Sequence, residues 1–259
     1  MKKRVISAIV ALLISVPIIY QGGPLFYVFA ILLSLIGLRE ILNLIIKDSF
    51  VQTLSYLCFT IIIGTNLFKN SFTDVLNTGF LCVIFLLFMI TMLLKYKDLN
   101  IRDCFYNMAI VIFLAVAFSN IIIVRNIGLN YFIYILLLPF ANDTFAHLFG
   151  SKFGKHKINS ISPNKSWEGC FFGLFFGTII STLFYLQFVD VHVNIFVLLT
   201  VNILLSIIGQ LGDLFFSLIK RNYNVKDFSN LMPGHGGVLD RLDSVIFVTL
   251  AFTFFITFM

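Results

Sequence analysis

Long apolar runs, each closed by a charge or by glycine and proline, alternate with short polar breaks along almost the whole 259-residue chain. Many of the charge-free runs approach the roughly 20 residues that a helix needs to cross the hydrocarbon core of a bilayer. Taking charges and Gly/Pro breaks as punctuation predicts nine membrane helices, near residues 5–20, 24–46, 50–68, 75–94, 104–124, 127–149, 168–188, 193–219 and 241–259. The first follows Lys2-Lys3-Arg4 and shows no small-x-small cleavage pattern before Gln21-Gly22-Gly23-Pro24. It is therefore expected to be retained rather than removed as a signal peptide.

Composition agrees with this pattern. Apolar residues make up 59% of the chain and charged residues only 12%, against roughly 45–50% and about 25% in soluble domains. Water-soluble, disordered and collagen-like classes are excluded. The four cysteines, Cys58, Cys82, Cys104 and Cys170, lie in apolar surroundings without C-x-x-C spacing and read as small hydrophobes. With the amino terminus inside, 16 of the 18 basic residues fall on cytoplasmic segments, and only Lys69 and Arg125 fall outside. This positive-inside bias places the carboxyl terminus outside and accounts for the net charge of +6 without nucleic acid, since anionic lipid attracts those residues.

The fold class expected is an all-α polytopic membrane protein, with two unlike regions. Residues 1–125 form an amino-terminal transmembrane region of about five helices with sparse polar residues. Residues 126–259 form a catalytic region of about four helices and two cytoplasmic loops. Three segments of the second region concentrate polar chemistry. Asp143 and His147 are four apart near the end of the sixth span and share a helix face. A carboxylate so near the hydrocarbon needs a cavity, a metal or a cation. The loop from Gly150 to Gly169 carries Lys152, Lys155, Lys157 and Lys165, with Ser166 and Glu168 able to cap the seventh span. In the eighth span Asn202, Ser206, Gly209, Asp213, Ser217 and Lys220 follow at steps of 4, 3, 4, 4 and 3, a polar stripe expected to line something wet.

After Lys220-Arg221 come Lys226-Asp227, the turn Pro233-Gly234-His235-Gly236-Gly237, and Asp240-Arg241-Leu242-Asp243 opening the last span. Glycine-rich turns let backbone amides converge on an anion, and a helix start adds its positive end, so a phosphate site is expected here. Asp240 and Asp243 are three apart on one face. Hard carboxylate oxygens beside such a turn suit Mg²⁺.

Ser217-x-x-Lys220-Arg221, Lys226-Asp227 and Pro233-x-His235-Gly236-Gly237-x-x-Asp240-Arg241-x-Asp243, spanning 27 residues, resemble the signature of the phosphatidate cytidylyltransferases, or CDP-diacylglycerol synthases. Asp143-Thr144 and Ser162-Pro163-x-Lys165-Ser166-x-Glu168-Gly169 resemble a second block of that family. The resemblance implies transfer of a cytidylyl group from CTP to phosphatidic acid in a bacterial cell membrane, with the site facing the cytoplasm. It implies Asp213 and Asp240 as ligands of Mg²⁺ and of a second cation, with Asp143 and Asp243 as further candidates. Asp213, Asp240, Lys220, Arg221 and His235 become the candidate catalytic residues. Lys165, Ser166, Ser217, Lys226, Gly236, Gly237 and Arg241 become candidate substrate contacts. His235 either donates to a phosphate or shapes the turn. A homodimer is compatible with the sequence.

The chain departs from the family pattern at Phe216, three residues after Asp213 and so about 60° around the helix, where an acidic residue is common. Phe216 is expected at the edge of the cavity. Competing readings are a CTP-dependent polyprenol or phytol kinase, a related lipid cytidylyltransferase, and an ion-coupled transporter. The last is disfavoured because the acidic and basic clusters lie on one side, whereas alternating access needs polar sites reached from both.

Overall fold

The computed structural model describes residues 2–46, 48–67, 83–91, 101–158, 162, 165–232, 234 and 236–256. Their regular structure is helical: α1 (Lys2–Gln21), α2 (Gly23–Ile45), α3 (Ser49–Leu67), α4 (83–91), α5 (Ile101–Ile127), α6 (Leu129–Phe153), α7 (Trp167–Phe188), α8 (Ile195–Asn222) and α9 (Leu239–Phe255). The remainder of the expected span 75–94, with Lys47, Lys69, Lys95, Lys97, Cys82 and His235, lies outside the described residues. Five helices, Gly23–Ile45, Phe105–Ile127, Leu129–Phe153, Trp167–Phe188 and Ile195–Asn222, are long and apolar enough to cross a membrane. The chain is thus an all-α, polytopic membrane protein. Charges end its helices close to where the pattern of apolar runs places them, because a helix can leave hydrocarbon only where its side chains can reach water.

The chain forms two compact units. One is Pro24–Ile123. The other joins α1 to the residues from Val124 onward. In the first unit a buried hydrogen bond from Asn107 Nδ2 to Ser55 Oγ, 2.9 Å long, ties α5 to α3 amid apolar side chains such as Phe59 and Met108. In the second, α1 is held by Arg125, whose Nε donates to Ile19 O at 2.7 Å and whose Nη2 donates to Tyr20 O at 3.0 Å. The guanidinium thereby satisfies carbonyls that the end of α1 leaves unpaired and meets its negative dipole end. Gly22 follows with φ +68°, and a Cβ there would come within 2.6 Å of Arg125 Nη2. A side chain at that position would displace the cap.

Helices α6 and α7 pack closely because Gly169, Gly173 and Gly177 recur every four residues along one face of α7. A Cβ on Gly169 would meet Ala146 O at 2.7 Å, one on Gly173 would meet Asn142 O at 2.7 Å, and one on Gly177 would run into the Asn142 amide. Small residues permit this approach in a bilayer, where helix association relies on packing and interhelical hydrogen bonds rather than on expelling water. The hydrogen bonds are present. Asn142 Nδ2 donates to Ser206 Oγ at 2.8 Å, Tyr134 Oη donates to Asn202 Oδ1 at 2.5 Å, and Asn202 Nδ2 donates to Thr182 Oγ1 at 2.9 Å. Together they lock α6, α7 and α8 in register.

Candidate active site

Those contacts correct the expectation for the polar stripe of α8. Asn202, Ser206 and Gly209 are buried against α6, α7 and α9, so the deep half of the stripe joins helices instead of lining water. Periodicity marks a polar face but does not say whether that face meets solvent or another helix's polar groups. The end near Asp213 opens into a cavity.

That cavity, of about 270 Å³, is lined by Asp143, Ala146 and His147 from α6, Ser162, Lys165 and Ser166 from the preceding loop, Gly169 and Cys170 from α7, and Gln210 and Asp213 from α8. Asp143 and His147 project together because they are one turn apart, and the glycine face of α7 lets α6 lie close enough for both to share a cavity with α8. Asp213 forms an ion pair with Lys165, and Ser217 Oγ donates to Asp213 Oδ1 at 3.3 Å. Asp143 and Asp213 thus share one cavity with the Lys165 ammonium. Gln210, absent from the sequence reading, donates from Nε2 to Cys170 O at 3.0 Å and ties α8 to the first turn of α7. Its position three residues before Asp213 is the signal that could have found it.

Ser166 is the amino-terminal cap of α7, accepting from Gly169 N–H at 3.1 Å. Glu168 shares that task only through its own N–H. Its carboxylate turns back to the loop and accepts from the backbone N–H of Lys155 and of His156.

A second ionic centre lies where α8 ends and α9 begins. Lys220 Nζ is 2.7 Å from Asp240 Oδ1, with side chains only 11% and 4% exposed. Asp240 Oδ2 accepts from Phe228 N–H at 2.8 Å and Gly237 N–H at 2.9 Å. Gly236 has φ +85°, and its N–H donates to Met232 O at 3.1 Å. The glycine-rich turn does gather amides, but the anion on which Gly237 converges is the chain's own Asp240 carboxylate. Asp243 accepts from Ser244 N–H at 2.7 Å. Arg221 Nη1 donates to Val225 O at 3.3 Å, and Lys226 and Arg241 are exposed.

Phe216 does not lie at the edge of the cavity. It is 1% exposed, and its ring meets those of Phe215 and Phe228 at 5.8 Å and Phe247 at 6.1 Å. The turn of 60° from Asp213 is enough to carry it from the wet edge into the contact with α9.

Asp143 and Asp213 offer the carboxylate oxygens that a hard divalent ion takes, and the Lys165 ammonium now answers the charge of Asp213. Among the described residues no three carboxylate, histidine or cysteine side chains converge on one preformed ion position. Such a site fits an ion like Mg²⁺, which keeps several waters and takes the remaining oxygens from substrate phosphates.

The whole chain also resembles known sequences. Residues 2–259 match the Cytidylyltransferase family. A phosphatidate cytidylyltransferase of Staphylococcus epidermidis (strain ATCC 35984) is 40% identical over 251 residues, covering 96% of each chain. Those of Staphylococcus haemolyticus (strain JCSC1435) and Staphylococcus aureus (strain COL) are 40% and 39% identical over 251 and 250 residues, again covering 96% of each chain.

Proposed function

Because the chain belongs to the Cytidylyltransferase family, we propose that it transfers the cytidylyl group of CTP to phosphatidic acid, forming CDP-diacylglycerol and pyrophosphate for phospholipid synthesis. The observation that carries this reading is a cavity at the ends of membrane helices in which Asp143 and Asp213 stand beside Lys165, in a chain 40% identical to phosphatidate cytidylyltransferases along nearly its full length. A lipid phosphate and a nucleotide triphosphate meet at such a place.

The chemistry needs little from a general base. An oxygen of the lipid phosphate attacks the α-phosphorus of CTP, the bond to the oxygen bridging the α- and β-phosphates breaks, and pyrophosphate leaves with that electron pair. The barrier is the approach of two polyanions and the charge developing on the leaving group. Lys165 is positioned to exchange Asp213 for a phosphate oxygen. Arg221, Lys226 and Arg241 supply further positive charge, and Ser166, Ser217 and the Gly236-Gly237 turn are assigned to substrate contact. His235 sits in the sequence between the glycines of that turn and is assigned to phosphate contact or to turn shape. Mg²⁺, when bound, would be held by Asp213 with Asp143 and Asp243 and would neutralise phosphate charge during transfer. Asp240 can add its Oδ1 to that ion or to a second cation once Lys220 releases it, its Oδ2 being held by two N–H groups.

We further propose nine spans in the bacterial cell membrane, with the amino terminus and the site on the cytoplasmic side and the carboxyl terminus outside, on the strength of the 16 to 2 split of basic residues. A homodimer is compatible with a cavity lined by residues of one chain. Incubating the purified enzyme with phosphatidic acid and CTP labelled at the α-phosphate tests the function. Label is expected in the lipid fraction. Its absence there, with lipid labelled from the γ-phosphate instead, identifies a CTP-dependent kinase.

A further inference from the structure

We propose that Glu168 is a positioning residue that acts through Lys165: it clasps the loop before α7 so that the Lys165 ammonium is delivered to Asp213 inside the cavity. Glu168 itself does not line the cavity.

An acidic residue in the first turn of a helix ordinarily favours the free N–H groups of that turn. Beyond its own N–H, Glu168 turns the other way. Its Oε2 accepts from Lys155 N–H at 3.2 Å, the N–H of His156 donates to Oε1 at 3.2 Å and Oε2 at 3.3 Å, and His156 Nδ1 lies 2.6 Å from Oε1. One carboxylate therefore gathers two consecutive backbone amides and a ring nitrogen from a segment 12 and 13 residues earlier in the chain.

What it gathers is the partner of the stretch that carries Lys165. Trp167 N–H donates to His156 O at 2.9 Å, and Ile158 N–H donates to Lys165 O at 3.2 Å. Between those two bonds, Lys157 and Ser166 form an isolated antiparallel bridge. On its other side, Lys165 N–H donates to Ser162 O at 3.1 Å. Both backbone groups of Lys165 are thus fixed by loop segments, and only its side chain reaches α8. Gly154 closes the arrangement, since a Cβ there would run into Gly150 O and Ser166. An isolated two-stranded pairing is marginal in water. The Glu168 carboxylate supplies the charge-assisted bonds that hold this one.

The test uses the full chain purified in detergent. Lys165 is labelled with an amine-reactive reagent and quantified by peptide mass spectrometry, with exposed Lys226 as internal standard. Lys165 of the wild type should label more slowly than Lys226, Glu168→Ala should bring the two rates together, and Glu168→Gln, which keeps an acceptor oxygen, should restore part of the protection. Kinetics supply the second arm. Glu168→Ala should lower kcat/KM for CTP by about tenfold, but should change it by no more than about twofold when added to Lys165→Met, because two residues acting through one contact are not additive. Unchanged protection of Lys165 in Glu168→Ala would overturn the proposal, as would losses that multiply in the double variant. Only the kinetic arm rests on the proposed transfer reaction. A wild-type enzyme that labels as expected and transfers nothing would refute the function and leave the clasp standing.

Discussion

Replacing Asp240 by alanine should damage the fold as well as the chemistry. The carboxylate is 4% exposed and neutralises a Lys220 ammonium that is itself 11% exposed. Removing one partner of such a pair leaves a buried charge, which costs about 3–5 kcal/mol. It also strands the N–H of buried Phe228 and that of Gly237, and an orphaned buried donor costs about 1–3 kcal/mol. A loss of at least about 4 kcal/mol, at roughly 2–4 °C per kcal/mol for chains near this size, lowers the melting temperature by about 8 °C or more. The lone tryptophan, Trp167 at the start of α7, gives a fluorescence signal for melting in detergent. The double variant Lys220→Met/Asp240→Leu removes both charges but still leaves the N–H groups of Phe228 and Gly237 without their acceptor, so it should melt between Asp240→Ala and the wild type, since replacing a buried pair with apolar groups relieves only the unpaired charge. Its transferase activity should stay absent, which separates the chemical role of the pair from its structural one. An Asp240→Ala protein that melts within about 2 °C of the wild type would refute this account of the pair.

Asp213→Ala should behave differently: its side chain is 21% exposed and its partner Lys165 lies in the same cavity, so the fold should persist while transfer falls more than tenfold, about 1.4 kcal/mol. Weakened binding of Mn²⁺, followed by electron paramagnetic resonance, is the accompanying sign, and wild-type Mn²⁺ affinity would remove Asp213 from the ligand set. Phe216→Glu should sharply reduce the amount of protein recovered from membranes, because the carboxylate would be forced among Phe215, Phe228 and Phe247; normal yield with normal activity contradicts that packing. In a cysteine-free background, an impermeant reagent applied to intact cells should label Asp190→Cys and spare Lys155→Cys, and the reverse pattern would invert the proposed topology.

Helix positions were legible because charges punctuate the apolar runs, and a bilayer enforces that punctuation more strictly than water does. The bounds expected for α5 to α9 lie within a few residues of the observed ends for the same reason. The close packing of α6 on α7 was also written in the sequence, as Gly169, Gly173 and Gly177, but glycine spacing names no partner until the structure supplies Asn142 and Ala146. The stripe on α8 was visible as a pattern and misjudged in its deep half, because Asn202 and Ser206 are equally suited to solvent and to the Tyr134, Thr182 and Asn142 groups they meet. Gln210 and the Glu168 clasp were not legible at all as contacts, since each depends on where a loop or a neighbouring helix returns.

The two lysine–carboxylate pairs of this region differ in what they can do. Lys165 and Asp213 are 24% and 21% exposed, so water can replace either partner, and pairs that exchange with solvent typically contribute only about 0–1 kcal/mol. Lys220 and Asp240 are nearly sealed, and separating them carries the penalty of a buried unpaired charge. On the proposed function, a polyanionic substrate would open the first pair at small cost, drawing the lysine to a phosphate and leaving the aspartate for a cation, while the second pair ties α8 to α9 and the glycine-rich turn. On the proposed mechanism the first movement falls to the Lys165 side chain, and its backbone is the part of the loop that the Glu168 clasp would hold still.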